Sequence, residues 1–149
     1  MTPDLDPGEL APRTRTVIAR LNRGLRQTRA GADLSPTQYQ VLATTVRRGA
    51  IGLKELASLE GLNPTMLSRV AGKLDAAGLV GRTPDPADGR VAVLGATRKG
   101  RDLVARVRRE RTDALNLVLE GLGDDERATL AGALPVLEAL AESLLDRRK

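Results

Sequence analysis

LKELASLEGLNPTMLSRVAGKLDAAGLVGRTPDPADGRVAVLGATRKG, residues 53 to 100, reads as two short helices, a strand, a turn dense in Pro, Asp and Gly, and a second strand. In the first helix, residues 53 to 59, Leu56 and Ala57 point inward; Gly61 then supplies the turn and Leu62 a buried anchor. Asn63 caps the next helix and Pro64 suits its first turn, where an unbonded amide would be lost anyway. Leu67, Val70, Ala71 and Leu74 recur at i, i+3, i+4 and i+7, so they form the core face of that helix. By exclusion Thr65, Ser68, Arg69, Gly72 and Lys73 face out. Small hydroxyls mixed with two cations suit a helix that enters the DNA major groove, where side chains must reach base edges past no bulky obstruction. Gly78 ends the helix, and residues 79 to 83 and 91 to 94 are expected as antiparallel strands joined by Pro84-Asp85-Pro86-Ala87-Asp88-Gly89. This hairpin is a wing.

The flanking sequence is helical. Residues 7 to 30 place Leu10, Val17, Leu21 and Leu25 on one face and arginines on the others, with Gly31 and Ala32 closing the helix. Ser35-Pro36-Thr37-Gln38 has the chemistry of a capping box for a second helix ending at Gly49, with Tyr39, Leu42 and Val46 inward. Thr97 caps a long helix from Arg98 to about residue 122, whose Leu103, Val107, Ala114 and Val118 form an apolar stripe. The last helix opens on Asp124, Asp125 and Glu126, carboxylates that complement the helix dipole, and Pro135 inside it predicts a kink. No repeat or interdomain linker interrupts the chain, which is expected to form a single domain over residues 1–149.

Composition narrows the chemistry. The 149 residues are 41% hydrophobic and 29% charged, ordinary for a folded domain, and with Tyr39 as the sole aromatic the core must be built from Leu, Val and Ala, which favours helices. Without Cys or His there are no thiol nucleophiles, no Ser-His or Cys-His catalysis and none of the usual zinc ligands, so neither a metal nor another cofactor is expected. No apolar run is expected to reach the roughly 18 residues of a spanning helix, and the acidic start MTPDLDPGEL does not resemble a secretion signal; the expected location is the cytoplasm. The net charge of +5 favours a polyanionic partner. Residues 35–100 carry +4 and residues 101–111 carry +3, whereas residues 112–149 carry −4, so the acidic end should face away from DNA.

In order and at matching spacing, LSPTQYQVL from Leu34, KELA from Lys54, LSRVAGKLDAAGLVGR from Leu67, DPADGR from Asp85 and ATRKG from Ala96 resemble the MarR family of winged helix-turn-helix regulators. The resemblance implies a mainly α fold with a small antiparallel β wing. It assigns residues 35–100 to a DNA-binding lobe and residues 7–30 and 98–148 to dimerisation helices. It also implies a homodimer reading a pseudo-palindrome in double-stranded DNA, most often as a repressor, and no enzymatic activity. Thr65, Ser68 and Arg69, with Lys73 beside them, would approach bases or phosphates, and Asn63 would present the helix start to a phosphate. Asp88 and Arg90 fall on the family's Asp-x-Arg wing pattern, in which a guanidinium at the hairpin tip enters the narrow minor groove; the plainer reading is a surface turn with an incidental ion pair. Met66 stands where the family has a small or polar residue, and either touches a thymine methyl or packs under the neighbouring turn. The resemblance further implies a small organic anion as effector, with Arg13, Val17, Arg20 and Tyr39 as liners, although Tyr39 reads equally as a core residue. Ala96 in place of Leu, Gly123 in place of a hydroxyl cap, and Pro135 depart from the family pattern. The competing reading is a winged-helix protein-interaction module without DNA binding, disfavoured by Arg69, Lys73, Arg82 and Arg90; an enzyme ranks below both.

Overall fold

The computed structural model describes residues 6–26, 29–85, 87–89 and 92–146. Among these described residues six helices and a three-stranded sheet follow in the order α1 (Pro7–Leu25), α2 (Pro36–Arg48), β1 (Ile51–Gly52), α3 (Leu53–Glu60), α4 (Pro64–Ala76), β2 (Val80–Pro84), β3 (Ala92–Ala96), α5 (Arg98–Glu120) and α6 (Asp124–Asp146). The chain divides into two compact units, residues 1–112 and 113–149.

Local chemistry sets most boundaries in the first unit. Ser35 Oγ accepts from the Gln38 amide at 3.2 Å while Gln38 Oε1 accepts from the Ser35 amide at 2.7 Å, so the capping box forms reciprocally and starts α2. Helices α3 and α4 both end on a left-handed glycine followed by leucine. At Gly61 (φ 64°) the Leu62 amide reaches back to Ala57 O, and at Gly78 (φ 69°) the Leu79 amide reaches back to Leu74 O, each at 2.9 Å. The leucine after each glycine is thereby turned back onto the helix it follows.

Two expectations are corrected by tertiary contacts. Helix α1 stops at Leu25, five residues before the expected Ala30, and the Ala30 amide that would have continued it donates to Glu110 Oε2 of α5 at 3.1 Å. The sheet has a third strand: Ile51 lies opposite Leu94 and Gly52 opposite Val93, giving the order β1-β3-β2. Strand β2 begins and ends one residue later than expected and β3 continues two residues further, to Ala96, with Val80 opposite Ala96 and Pro84 opposite Ala92; the expected start of the second wing strand, residue 91, lies outside the described residues.

The core lies in the first unit, between α2, α3, α4, the sheet and the start of α5. Leu56, Ala57, Leu67, Val70, Ala71 and Leu74 are buried as their spacing requires. Tyr39 and Val46 are only partly buried against the core, whereas Val41, Thr44 and Thr45 are fully buried. Thr45 satisfies its hydroxyl by donating to Val41 O at 2.8 Å.

At one corner of this core the backbone itself packs. Thr97 donates from its amide to Leu79 O (3.0 Å) and from its hydroxyl to Gly78 O (2.7 Å), and Lys99 Nζ donates to Ala77 O (2.8 Å). The Thr97 hydroxyl also accepts from the Gly100 amide at 3.1 Å, capping α5. Gly100 then crosses so close to the end of α4 that a Cβ on it would stand 2.0 Å from Leu79 O and 3.1 Å from Leu42 Cδ1.

In the second unit, Gly123 caps α6 without a side chain, and Glu126 Oε2 accepts from the Gly123 amide at 2.9 Å, half of a capping box. The helix continues through Pro135 without ending there. None of its residues is buried.

Gly100→Ala should destabilise the fold by about 3 kcal/mol or more, because the clash is with backbone that cannot rotate away. Gly72→Ala, at an exposed α4 position with open space around the added methyl, should stabilise by about 0.5–1 kcal/mol. Urea midpoints at fixed protein concentration check both.

Candidate nucleic-acid interface

Helix α4 divides along its length into two faces. Leu67, Val70, Ala71 and Leu74 are buried, and Thr65, Met66, Ser68, Arg69, Gly72 and Lys73 are all exposed. The outward face therefore carries two cations, two hydroxyls, a glycine and a methionine, a surface able to bond phosphate oxygens and base edges together.

Asn63 does what its position predicts for the fold. Its Oδ1 accepts from the Met66 amide at 2.8 Å and its own carbonyl takes the Leu67 amide, so the first turn of α4 is pinned. The Asn63 side chain is exposed but already engaged, which leaves the Thr65 and Ser68 hydroxyls and the Arg69 guanidinium as outward groups on the turns that follow. Lys73 stands one turn beyond Arg69, and its carbonyl takes the Ala77 amide near the C-terminal end of the helix.

The wing starts from β2, where Arg82 is exposed opposite Leu94. Asp85 Oδ1 accepts from the Ala87 amide at 2.7 Å, a side-chain turn that bends the chain at the hairpin tip. Asp88 is exposed on the far side of that turn. Arg90 lies outside the described residues.

The residues proposed for an effector do not share one environment. Arg13, Val17 and Arg20 are exposed on α1. Tyr39 is half-buried against the core, and the guanidinium over its ring, 4.4 Å from the centroid, belongs to Arg111 of α5. Nothing local in the sequence distinguishes Arg111 from the other arginines of α5; only the tertiary fold brings it to the Tyr39 ring.

The MarR family model matches residues 34–92, which include α2, β1, α3, α4 and β2. An HTH-type transcriptional regulator of Mycobacterium leprae is 34% identical over 127 residues, 85% of this chain and 89% of the relative. One from Mycobacterium tuberculosis is 33% identical over 125 residues, 84% and 87% respectively. The chain belongs to the MarR family. Its fold agrees with solved MarR-family structures: a MarR family protein from Bacillus stearothermophilus superposes with a TM-score of 0.77 at 23% identity, covering 91% of this chain and 94% of that one. MarR from E. coli superposes with a TM-score of 0.71 at 24% identity, covering 90% and 98%. The expected mainly helical winged fold is thus the observed one, and membership in a family of transcriptional regulators supports a DNA-binding regulator rather than an enzyme.

Asn63→Ala should cost about 1 kcal/mol of stability by freeing the Met66 amide, whereas Asn63→Asp should keep most of it. Thermal unfolding of the two variants side by side checks the assignment of Asn63 to the helix cap.

Proposed function

We propose that this MarR-family protein is a homodimeric, sequence-specific repressor that reads a pseudo-palindromic operator and is released by a small-molecule effector. The observation that carries the DNA part is the partition of α4, with four apolar residues committed to the core and Arg69, Lys73, Thr65 and Ser68 all left outward on one exposed helix. In this reading α4 enters the major groove with those four side chains toward bases and phosphates, Asn63 holds the leading turn, and Asp88 and Arg90 form the wing contact in the minor groove. Phosphate electrostatics supply most of the affinity, and the α4 side chains supply the specificity. The location that follows is the cytoplasm, with the chromosome.

The dimer is supported by what the chain leaves uncovered. Leu10, Val17, Ile18 and Leu21 are exposed on α1, and Leu134, Leu137, Leu140 and Leu144 are exposed on α6. Apolar residues left exposed along a helix in this way mark an interaction face on each of the two helices. By length and composition α6 would also suffice to cross a membrane, contrary to the expectation that no run reaches that length. Glu138 and Glu142 lie one turn apart within it, and carboxylates inside hydrocarbon are costly, so a partner helix is the better cover. Within residues 7–30 and 98–148, helices α1, α5 and α6 serve for dimerisation, and residues 35–100 as the lobe they carry. Two such lobes about a two-fold axis fit half-sites roughly 10 to 10.5 base pairs apart.

The effector in this reading is a small organic anion near Tyr39, with Arg13, Val17 and Arg20 as liners. It is supported by Arg111, whose Nε is buried without a hydrogen-bond partner among the described residues while its guanidinium lies over the Tyr39 ring. Such a donor favours an anionic group.

Selection of binding sites from a random duplex library, followed by gel shifts at two salt concentrations, tests the proposal. Retention should fall steeply with salt, and the complex should contain two chains per duplex. Arg69→Ala and Arg90→Ala should each weaken the selected site by about 1–3 kcal/mol with unchanged melting temperature. Unchanged affinity in both would remove these residues from the interface. No retained duplex at low salt would leave the protein-interaction module as the better reading.

A further inference from the structure

Within residues 35–100, two large apolar side chains are exposed among the described residues, Leu59 at 40% and Met66 at 48%. Both lie on the helix-turn-helix pair. Met66 occupies the leading turn of α4, its amide held by Asn63 and its half-exposed side chain outside the core cluster. One turn further on the same side is Arg69, and one turn beyond that Lys73. Thr65, Ser68 and Gly72 are short neighbours, and Gly72 has open space where a side chain would stand, so the long unbranched methionine projects from a shallow surface.

We propose that Met66 is a specificity-determining residue that reads the 5-methyl group of a thymine in the operator major groove. The inference rests on the DNA-binding reading above. Of the groups that base pairs present in the major groove, the thymine methyl is the apolar one; the others are hydrogen-bond donors and acceptors. A thioether offers them at most a weak acceptor. A flexible, polarisable side chain flanked by cations that hold the DNA gains by covering a methyl, and gains little at any other base edge. Arg69 and Lys73 fix the approach, and Met66 adds a preference for thymine over cytosine or uracil at one step of each half-site.

The test uses the full-length protein and a duplex selected from a random library, resynthesised with deoxyuridine in place of thymine at one position at a time. Deoxyuridine keeps every hydrogen bond and removes only the methyl. In the wild-type protein one thymine in each half-site should show a loss of about fourfold in affinity, the change expected when one methyl is no longer buried. Met66→Ala should bind the thymine duplex about as weakly as wild type binds the uridine one and be indifferent to the exchange. Met66→Leu should recover part of the sensitivity. Because the side chain is exposed, melting temperatures should not move. A wild-type protein insensitive to the exchange at every position overturns the assignment, as does an equal penalty in Met66→Ala. Failure of the wild type to retain any duplex overturns the DNA-binding reading and this one with it.

Discussion

The contact between Gly100 and the carbonyl of Leu79 governs the first unit, because it joins two backbones with no side chain between them. The carbonyls of Ala77, Gly78 and Leu79, just past the end of α4, are taken in turn by Lys99, the Thr97 hydroxyl and the Thr97 amide. Lys99 also puts a cation at the negative end of the α4 dipole. The wing feeds the same corner, since the register that sets Val80 opposite Ala96 sets Leu79 opposite Thr97 one step further on. A slip of one residue in the hairpin would turn Leu94 out of the core and pull Thr97 off the end of α4 together. Wing, α4 and α5 are thus one interlocked piece.

That interlock bears on how the proposed interface is carried. Close-packed contacts transmit displacement, and backbone against backbone has no rotamers in which to absorb it. The start of α5 therefore cannot shift without carrying the end of α4 and the base of the wing. Arg111, on the same helix three turns further along, sits over Tyr39 of α2, while Glu110 beside it holds the Ala30 amide. Helix α5 is the common rigid element of these contacts, so whatever orients it orients the α4 face bearing Arg69 and Lys73.

How much of this was legible in the sequence follows from the range of each interaction. The caps at Ser35 and Asn63, the glycine-leucine endings at Gly61 and Gly78, and the two faces of α4 depend on residues a few positions apart, and all were readable. Strand β1 was not, because two residues carry no periodicity and Ile51 is fixed only by a partner 43 positions away. The end of α1 escaped for the same reason: no glycine or proline stands between Leu25 and Gly31 to stop the helix, but the Ala30 amide is claimed by Glu110. Gly100 was visible as part of ATRKG and silent as to cause, since a glycine needed for close approach looks like any other until the approaching backbone is known. At the interface, the outward position of Arg69 and Lys73 followed from spacing. Whether Met66 was covered did not, because one residue at the edge of a helix face is placed by its neighbours rather than by its period.

Helix α6 raises a different question from the rest of the chain. It runs 23 residues with none buried, yet carries leucine at 130, 134, 137, 140, 144 and 145. Its local devices are the acidic first turn and the Glu126 cap, each worth on the order of 1 kcal/mol. Against them stand Pro135, which removes a backbone bond, and Gly132, a poor interior helix residue. Helices owe most of their stability to burial of an apolar face, and nothing in the second unit buries this one. Under the proposed dimer the missing burial comes from the second chain, so folding of α6 and association become a single event. The interlocked lobe, by contrast, holds its own core within one chain. Its stability and the dimer's then rest on separate surfaces.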